Sequence, residues 1–130
     1  EEQRTNFLGV VLNGASAEIN QTLPKMIDPE TRLESTYAVG DHFYYQNTML
    51  NYYVDNMDLD VFKEEMTFNT ENFVCNNPAL KFFLDNRVVM VYKYSDDDGR
   101  FIGDVTVDTA DCAEIIKRNA AVMNPDESDN

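Results

Sequence analysis

Seven tyrosines, one histidine and two cysteines are the side chains of this 130-residue chain best suited to chemistry. Their spacing narrows what that chemistry can be. His42 lies beside Asp41 and two positions from Tyr44, a grouping that could pass a proton as general acid and base. Neither a GxSxG elbow nor a second histidine accompanies it, so a structural histidine at a strand turn is the better reading. Cys75 and Cys112 make neither a CxxC redox pair nor a zinc framework, because two cysteines and one histidine fall short of four ligands. They are two buried thiols or one bridge. Asp96-Asp97-Asp98-Gly99 lacks the alternation and closing glutamate of a calcium loop and reads as an exposed hairpin turn. Asp55, Asp58 and Asp60 gather at a helix start, where the helix dipole alone favours them. The five glycines never cluster into a phosphate loop. No metal site and no cofactor is therefore expected.

Two further groups could bind rather than react. Lys25 and Arg32 flank a proline-containing loop and could hold an anionic group, although Arg32 has Asp28 and Glu30 close by to pair with. Tyr37, Tyr44, Tyr45, Tyr52, Tyr53, Tyr92 and Tyr94 concentrate on three predicted strands. On an uncovered sheet face they would form a contact surface for a protein, since tyrosine offers area at low entropic cost. Beneath helices they would be core, and both arrangements stay open. The candidate binding residues are Lys25, Arg32, His42, Tyr44, Tyr45, Tyr52, Tyr92 and Tyr94.

These side chains must be positioned by a small set of elements. Leu8, Leu12, Ala15, Ile19 and Leu23 recur at helical spacing behind Thr5, a candidate cap. Gly9 and Gly14 weaken that helix and Ser16 offers a second start, so a bent helix or two pieces are expected before Pro24. Arg32 to Val39 alternates as a half-buried strand, Gly40-Asp41 turns it back, and His42 to Tyr53 forms a longer strand with mixed faces. Asp58 caps a helix through Leu59, Phe62, Met66 and Phe73. Asn77, with Pro78 behind it, caps a short one that Asn86 ends in the left-handed conformation. Val88 to Tyr94, apolar on both faces and so central, and Phe101 to Val107 make a hairpin around Ser95 to Gly99. Asp108 or Thr109 caps a last helix through Ile115, Ile116, Ala120 and Met123.

The order helix, two strands, helix, two strands predicts an α+β fold, a four-stranded antiparallel sheet with helices packed on one face. One domain over residues 1–124 is expected, with 125–130 a disordered acidic tail. The two cysteines bracket the predicted hairpin, a placement that favours the bridge and hence an oxidising compartment.

Lysine and arginine number 10 against 24 aspartate and glutamate, a formal net charge of -14. Such a field repels phosphate backbones and anionic lipid surfaces, which argues against nucleic-acid and membrane-surface binding, and it speeds encounter with a basic partner. No apolar run reaches the roughly 18 residues of a membrane span. The chain begins Glu1-Glu2-Gln3-Arg4, a start that fits a removed signal peptide, with or without a lipid anchor.

Ile19-Asn20, Leu23-Pro24, Asp28, Thr31-Arg32-Leu33, Met49-Leu50-Asn51, Cys75, Tyr92-Lys93-Tyr94, Asp98-Gly99 and Asp111-Cys112 form a spaced pattern. It resembles an uncharacterised family of small exported bacterial proteins, described as hypothetical proteins or lipoproteins. The resemblance covers Ile19 to Cys112, with Asn86 standing where the pattern has glycine. It implies an extracytoplasmic location, in the periplasm or cell envelope, and a paired Cys75 and Cys112, and it carries no activity.

The chain thus reads first as a non-catalytic exported protein-binding domain, presenting its sheet face and acidic surface to a protein partner. An inhibitor or immunity protein against a basic toxin or enzyme is one concrete form. The alternative is a small-ligand carrier or enzyme with a pocket between helix and sheet around His42 and Tyr44. A structural envelope component is a third.

Overall fold

The computed structural model describes residues 2–123 as an α+β fold. In chain order come α1 (Glu2–Asn20), β1 (Lys25–Met26), β2 (Thr31–Val39), β3 (His42–Met49) and α2 (Leu59–Cys75). They are followed by α3 (Lys81–Asp85), β4 (Val89–Ser95), β5 (Phe101–Asp108) and α4 (Cys112–Met123). The acidic tail expected at 125–130 lies outside the described residues.

The sheet corrects the four-stranded antiparallel expectation. It has five strands in the order β1-β2-β3-β4-β5, and β3 pairs with β4 in parallel, Phe43 opposite Met90 and Tyr45 opposite Tyr92. The cause is the crossover. A 17-residue helix spans about 26 Å and an 8-residue strand about the same, so α2 carries the chain back to the end where β3 began. The next strand must then run alongside β3 in the same direction. The fifth strand is Lys25–Met26, which pairs with β2 across a tight turn. Asp28 makes that turn by accepting the Glu30 and Thr31 N–H groups, each at 2.8 Å.

One face of the sheet carries the core. Phe43 and Met49 of β3, Met90 and Tyr94 of β4, and Val105 and Val107 of β5 cluster with Leu8 and Leu12 of α1, Val74 of α2 and Ile115 of α4. β4 lies in the sheet interior, as its two apolar faces require, with β3 on one side and β5 on the other. A bulge between Leu33 and Ser35 lets both Leu33 and Thr36 turn inward. The helices pack on this inner face.

α1 is one continuous helix rather than two pieces. It starts at Glu2, ahead of Thr5, and keeps both glycines in its body. Ser16 is no second start: it is buried, and its Oγ donates to the Thr36 carbonyl at 2.8 Å. Asn20 clamps the same residue, donating to the Thr36 carbonyl at 2.9 Å and accepting its N–H at 2.8 Å. Docking on β2 supplies what the local sequence withholds. The helix stops at Asn20, so Leu23 lies beyond it.

Asp58 caps α2 as expected, accepting the Val61 N–H. Asn77 and Asp108 accept the Ala79 and Ala110 N–H groups, but they cap the short 3-10 turns Pro78–Leu80 and Thr109–Asp111 that lead into α3 and α4. The left-handed residue after α3 is Arg87, at φ 55°, rather than Asn86, whose side chain bonds back to the Phe82 carbonyl. β3 ends at Met49, short of Tyr53, because Asn51 at φ 67° breaks the strand.

Cys75 and Cys112 form a disulfide, their Cα atoms 5.3 Å apart and 37 positions apart in sequence. It joins the last residue of α2 to the first of α4, so it ties helix to helix instead of helix to sheet. Closing a loop of that length contributes about 4 kcal/mol in the chain-entropy description.

Candidate functional site

Alternation along β3 and β4 divides the predicted site residues between two opposite faces. His42 and Tyr44 point to the face away from the helices, while Tyr45, Tyr92 and Tyr94 point beneath them. The expected pocket around His42 and Tyr44 is therefore not formed. A cleft between helix and sheet exists on the other side, with Tyr45 and Tyr92 in its lining.

On the outer face Tyr37 and Tyr44 stack with ring centres 4.4 Å apart, and the Lys93 ammonium stands 6.0 Å from the Tyr44 ring and 5.8 Å from Phe101. His42 Nδ1 lies 2.9 Å from Asp41 Oδ1, and Arg4 of α1 grips the other oxygen of Asp41 at 3.0 Å. Partial burial would raise the Asp41 carboxyl, but the hydrogen bonds from His42 and Arg4 outweigh it and hold the group below its ordinary value. Arg4 also donates to the Asn86 carbonyl, so this cluster locks α1, the β2–β3 turn and the end of α3 together.

Lys25 and Arg32 do not come together. Lys25 pairs with Leu33 and Met26 with Arg32, so the two cations project to opposite faces. Arg32 Nε donates to Glu34 Oε2 at 2.8 Å, a partner different from Asp28 and Glu30. Tyr52 sits in the loop after β3 and donates its hydroxyl to Glu30 at 2.6 Å. That bond, aided by partial burial, raises the Tyr52 hydroxyl above its ordinary value. Asp96 of the acidic turn is fully buried. Its carboxylate accepts N–H groups from Val54, Asp98 and Arg100 at 2.9, 3.0 and 2.8 Å, the role of a turn organiser.

The inner cleft has a volume of about 490 Å³. α1 docks at Thr36 of β2 and α2 packs against β5, and the cleft lies between α2 and strands β2 to β4. Leu33, Tyr45, Asn47, Tyr92 and Tyr94 make its floor; Met66, Asn69, Thr70 and Phe73 of α2 make one wall, and Ile27 and Asp28 another. Tyr45 and Tyr92 stack with centres 4.7 Å apart and planes within 5°. Burial pushes the Tyr45 hydroxyl up to about 12, and burial first, then the neighbouring tyrosines, pushes Tyr92 up as well. Both stay protonated and able to donate at any physiological pH. Phe73, at 57% exposure, stands at the mouth.

Asn47 was not singled out in the sequence, and it is the polar centre of this floor. It is 4% exposed. Its Nδ2 faces the Lys93 and Tyr45 carbonyls at 3.4 and 3.5 Å, which fixes which way the amide points. Its Oδ1 is the one fully buried side-chain nitrogen or oxygen without a hydrogen-bond partner among the described residues. The signal was present: an amide alone between Tyr45 and Met49 on the inward side of a strand. Among the described residues no cluster of three or more potential metal ligands occurs, and no helix is long and apolar enough to cross a membrane.

No protein-family model matches the sequence, and no curated protein matches it. Three solved structures share the fold. A Pseudomonas aeruginosa protein provisionally described as secreted superposes with TM-score 0.70 at 13% identity, over 84% of this chain and 96% of that one. The pilotin EpsS of the Vibrio vulnificus type 2 secretion system gives 0.68 at 12%, over 86% and 97%. The type II secretion system pilotin AspS of Vibrio cholerae gives 0.65 at 12%, over 82% and 94%. At these identities the likeness establishes the fold.

Proposed function

We propose that this chain is a non-catalytic, extracytoplasmic protein-binding domain, acting as a pilotin-like component of a secretion assembly, and that its partner docks in the cleft between α2 and the sheet. The observation that carries this reading is the cleft of about 490 Å³ on the helix-covered face, with Leu33, Tyr45, Tyr92 and Met66 in its lining and Phe73, 57% exposed, beside them, an aromatic and aliphatic surface of the kind that protein anchors fill. Two further facts support it. The disulfide suits an oxidising compartment, and the three structures sharing the fold comprise two secretion-system pilotins and a protein described as secreted.

Photocrosslinking in intact cells tests the docking face. A photoreactive residue at Phe73 should yield a discrete adduct with one envelope protein, and the same group at Tyr44 on the outer face should not. Adducts from Tyr44 alone, or with cytosolic proteins, would contradict the reading. A second reading, a small-ligand carrier, rests on the cleft volume, which falls in the range of small-molecule sites. Native mass spectrometry showing a retained compound would favour it.

A further inference from the structure

We propose that the exposed face of α1 is a self-association surface, on which a second copy of this chain packs its own α1 antiparallel across a two-fold axis. This goes beyond the partner-binding reading above. No residue of α1 lines the cleft, so failure here would leave that reading standing.

Leu8, Leu12 and Ser16 are the buried residues of α1. Phe7, Val10, Gly14 and Ala17 recur at spacings of three and four, which places them together on one face, and all four are exposed. Val10, at 75%, is the most exposed large hydrophobic side chain among the described residues, and Phe7 follows at 65%. Glycine in a helix body costs stability relative to alanine. A Cβ added at Gly9 would stand 3.7 Å from the Gly40 backbone, so that glycine sits at an internal contact; one added at Gly14 would meet nothing within 4 Å. Nothing inside this chain therefore uses the small size of Gly14, whereas a neighbour approaching from outside would.

Charge selects the occupant. Thr5 to Ala17 hold no charged residue, on a chain with 24 acidic side chains and a net charge of -14. Two copies repel each other in general, yet they can meet on this face without bringing carboxylates together. An uncharged face gives a basic or an acidic partner nothing to pair with. Size then sets the direction. With Phe7 level with the partner's Ala17, Val10 falls level with the partner's Gly14 and Asn6 with the partner's Glu18. Each large side chain meets a small one, the glutamate meets an amide that can donate to it, and the two-fold repeats every contact. A parallel pair would set Phe7 on Phe7 and Glu18 on Glu18, wedging one end of the helices apart and opposing two carboxylates. A single pair of helices is a small interface beside the roughly 1,000 Å² of a stable one, so the dimer is weak and reversible.

Sedimentation equilibrium of the full chain tests this. A monomer–dimer equilibrium with a dissociation constant between about 10 µM and about 1 mM is expected. It should tighten as salt rises from about 0.05 M to about 0.5 M, because salt screens the repulsion between two acidic molecules. Val10→Glu and Gly14→Lys should each weaken the dimer about tenfold or more, and mixing the two variants should restore it, since the register sets the introduced glutamate beside the introduced lysine. Gly14→Lys should be at least as heat-stable as the parent, lysine being the better helix former, which shows that the fold is intact.

A chain that stays monomeric at about 1 mM, a dimer that Val10→Glu leaves unchanged, a dimer that salt loosens, or a mixture of variants that does not recover association overturns the inference. Binding of a monomeric chain to phosphatidylcholine vesicles, abolished by Val10→Glu, would make the face a lipid contact and overturn self-association equally.

Discussion

Asn47 carries the one fully buried side-chain oxygen without a hydrogen-bond partner among the described residues. Replacing it by leucine removes the unpaired oxygen at the cost of two long hydrogen bonds, at 3.4 and 3.5 Å. Asn47→Leu is therefore expected to raise the unfolding free energy of the unliganded protein by about 1 kcal/mol, measured by urea titration; a loss of stability would show that the amide is structural. Asp96 behaves in the opposite sense. The N–H of Val54 does most to hold its carboxyl below the ordinary value, against burial, with Arg100 and Asp98 adding to it. Its folded value thus lies below the unfolded one, near 3.9, so its contribution is fully present above that pH and disappears as pH falls through the folded value. Asp96→Asn should be less stable at neutral pH, with the gap to the parent chain closing in acid. A constant gap from pH 7 to pH 2 would refute this. Legibility at this scale depended on context: the cap residues announce themselves by type and position, whereas Asn47 and Asp96 acquire their roles from strands distant in sequence.

The elements divide in the same way. α1 rests on Leu8 and Leu12 and on the Thr36 bonds from Ser16 and Asn20, so Leu12→Ala should cost about 2–5 kcal/mol in denaturant unfolding. A change below 1 kcal/mol would mean that α1 is not part of the core. The disulfide joins α2 to α4, beside the pairing of Arg118 with Glu71 at 2.7 Å. Replacing Cys75 and Cys112 together by serine should lower stability by about 4 kcal/mol, read as a fall in the urea midpoint; an unchanged midpoint would leave the helix pairing to Arg118 and Glu71. Hydrophobic period and cap chemistry make helices and hairpins visible in a sequence because both are local. The direction of β4 is not local. It depends on where α2 delivers the chain, and a pattern of helix, two strands, helix, two strands accommodates a hairpin-built sheet and a crossover equally. Lys25–Met26 is too short to show a period at all.

For the whole molecule, the layer arrangement decides which tyrosines are available. One-sided helix cover buries Tyr94, half-buries Tyr45 and Tyr92 and leaves Tyr37 and Tyr44 on the other face, so a composition rich in tyrosine resolves into an inner set and an outer set only once the sheet order is known. The α+β class was legible; which face turns inward and where the recess lies were not, because both faces of β3 and of β4 carry apolar or aromatic residues and only the docking of the helices chooses between them. Acidity is spread through the chain and also lines the grooves beside that recess, so a basic partner would associate in a salt-dependent way. Raising the ionic strength from about 0.05 M to about 0.5 M should slow association with such a partner far more than dissociation. The most direct measurement of the central claim is amide and side-chain NMR mapping, on the isotopically labelled chain, of the partner that crosslinks from Phe73. The account predicts the largest perturbations at the Asn47 side-chain amide, Phe73, Tyr45 and Tyr92; perturbations centred instead on Tyr37, Tyr44 and Lys93 would contradict it.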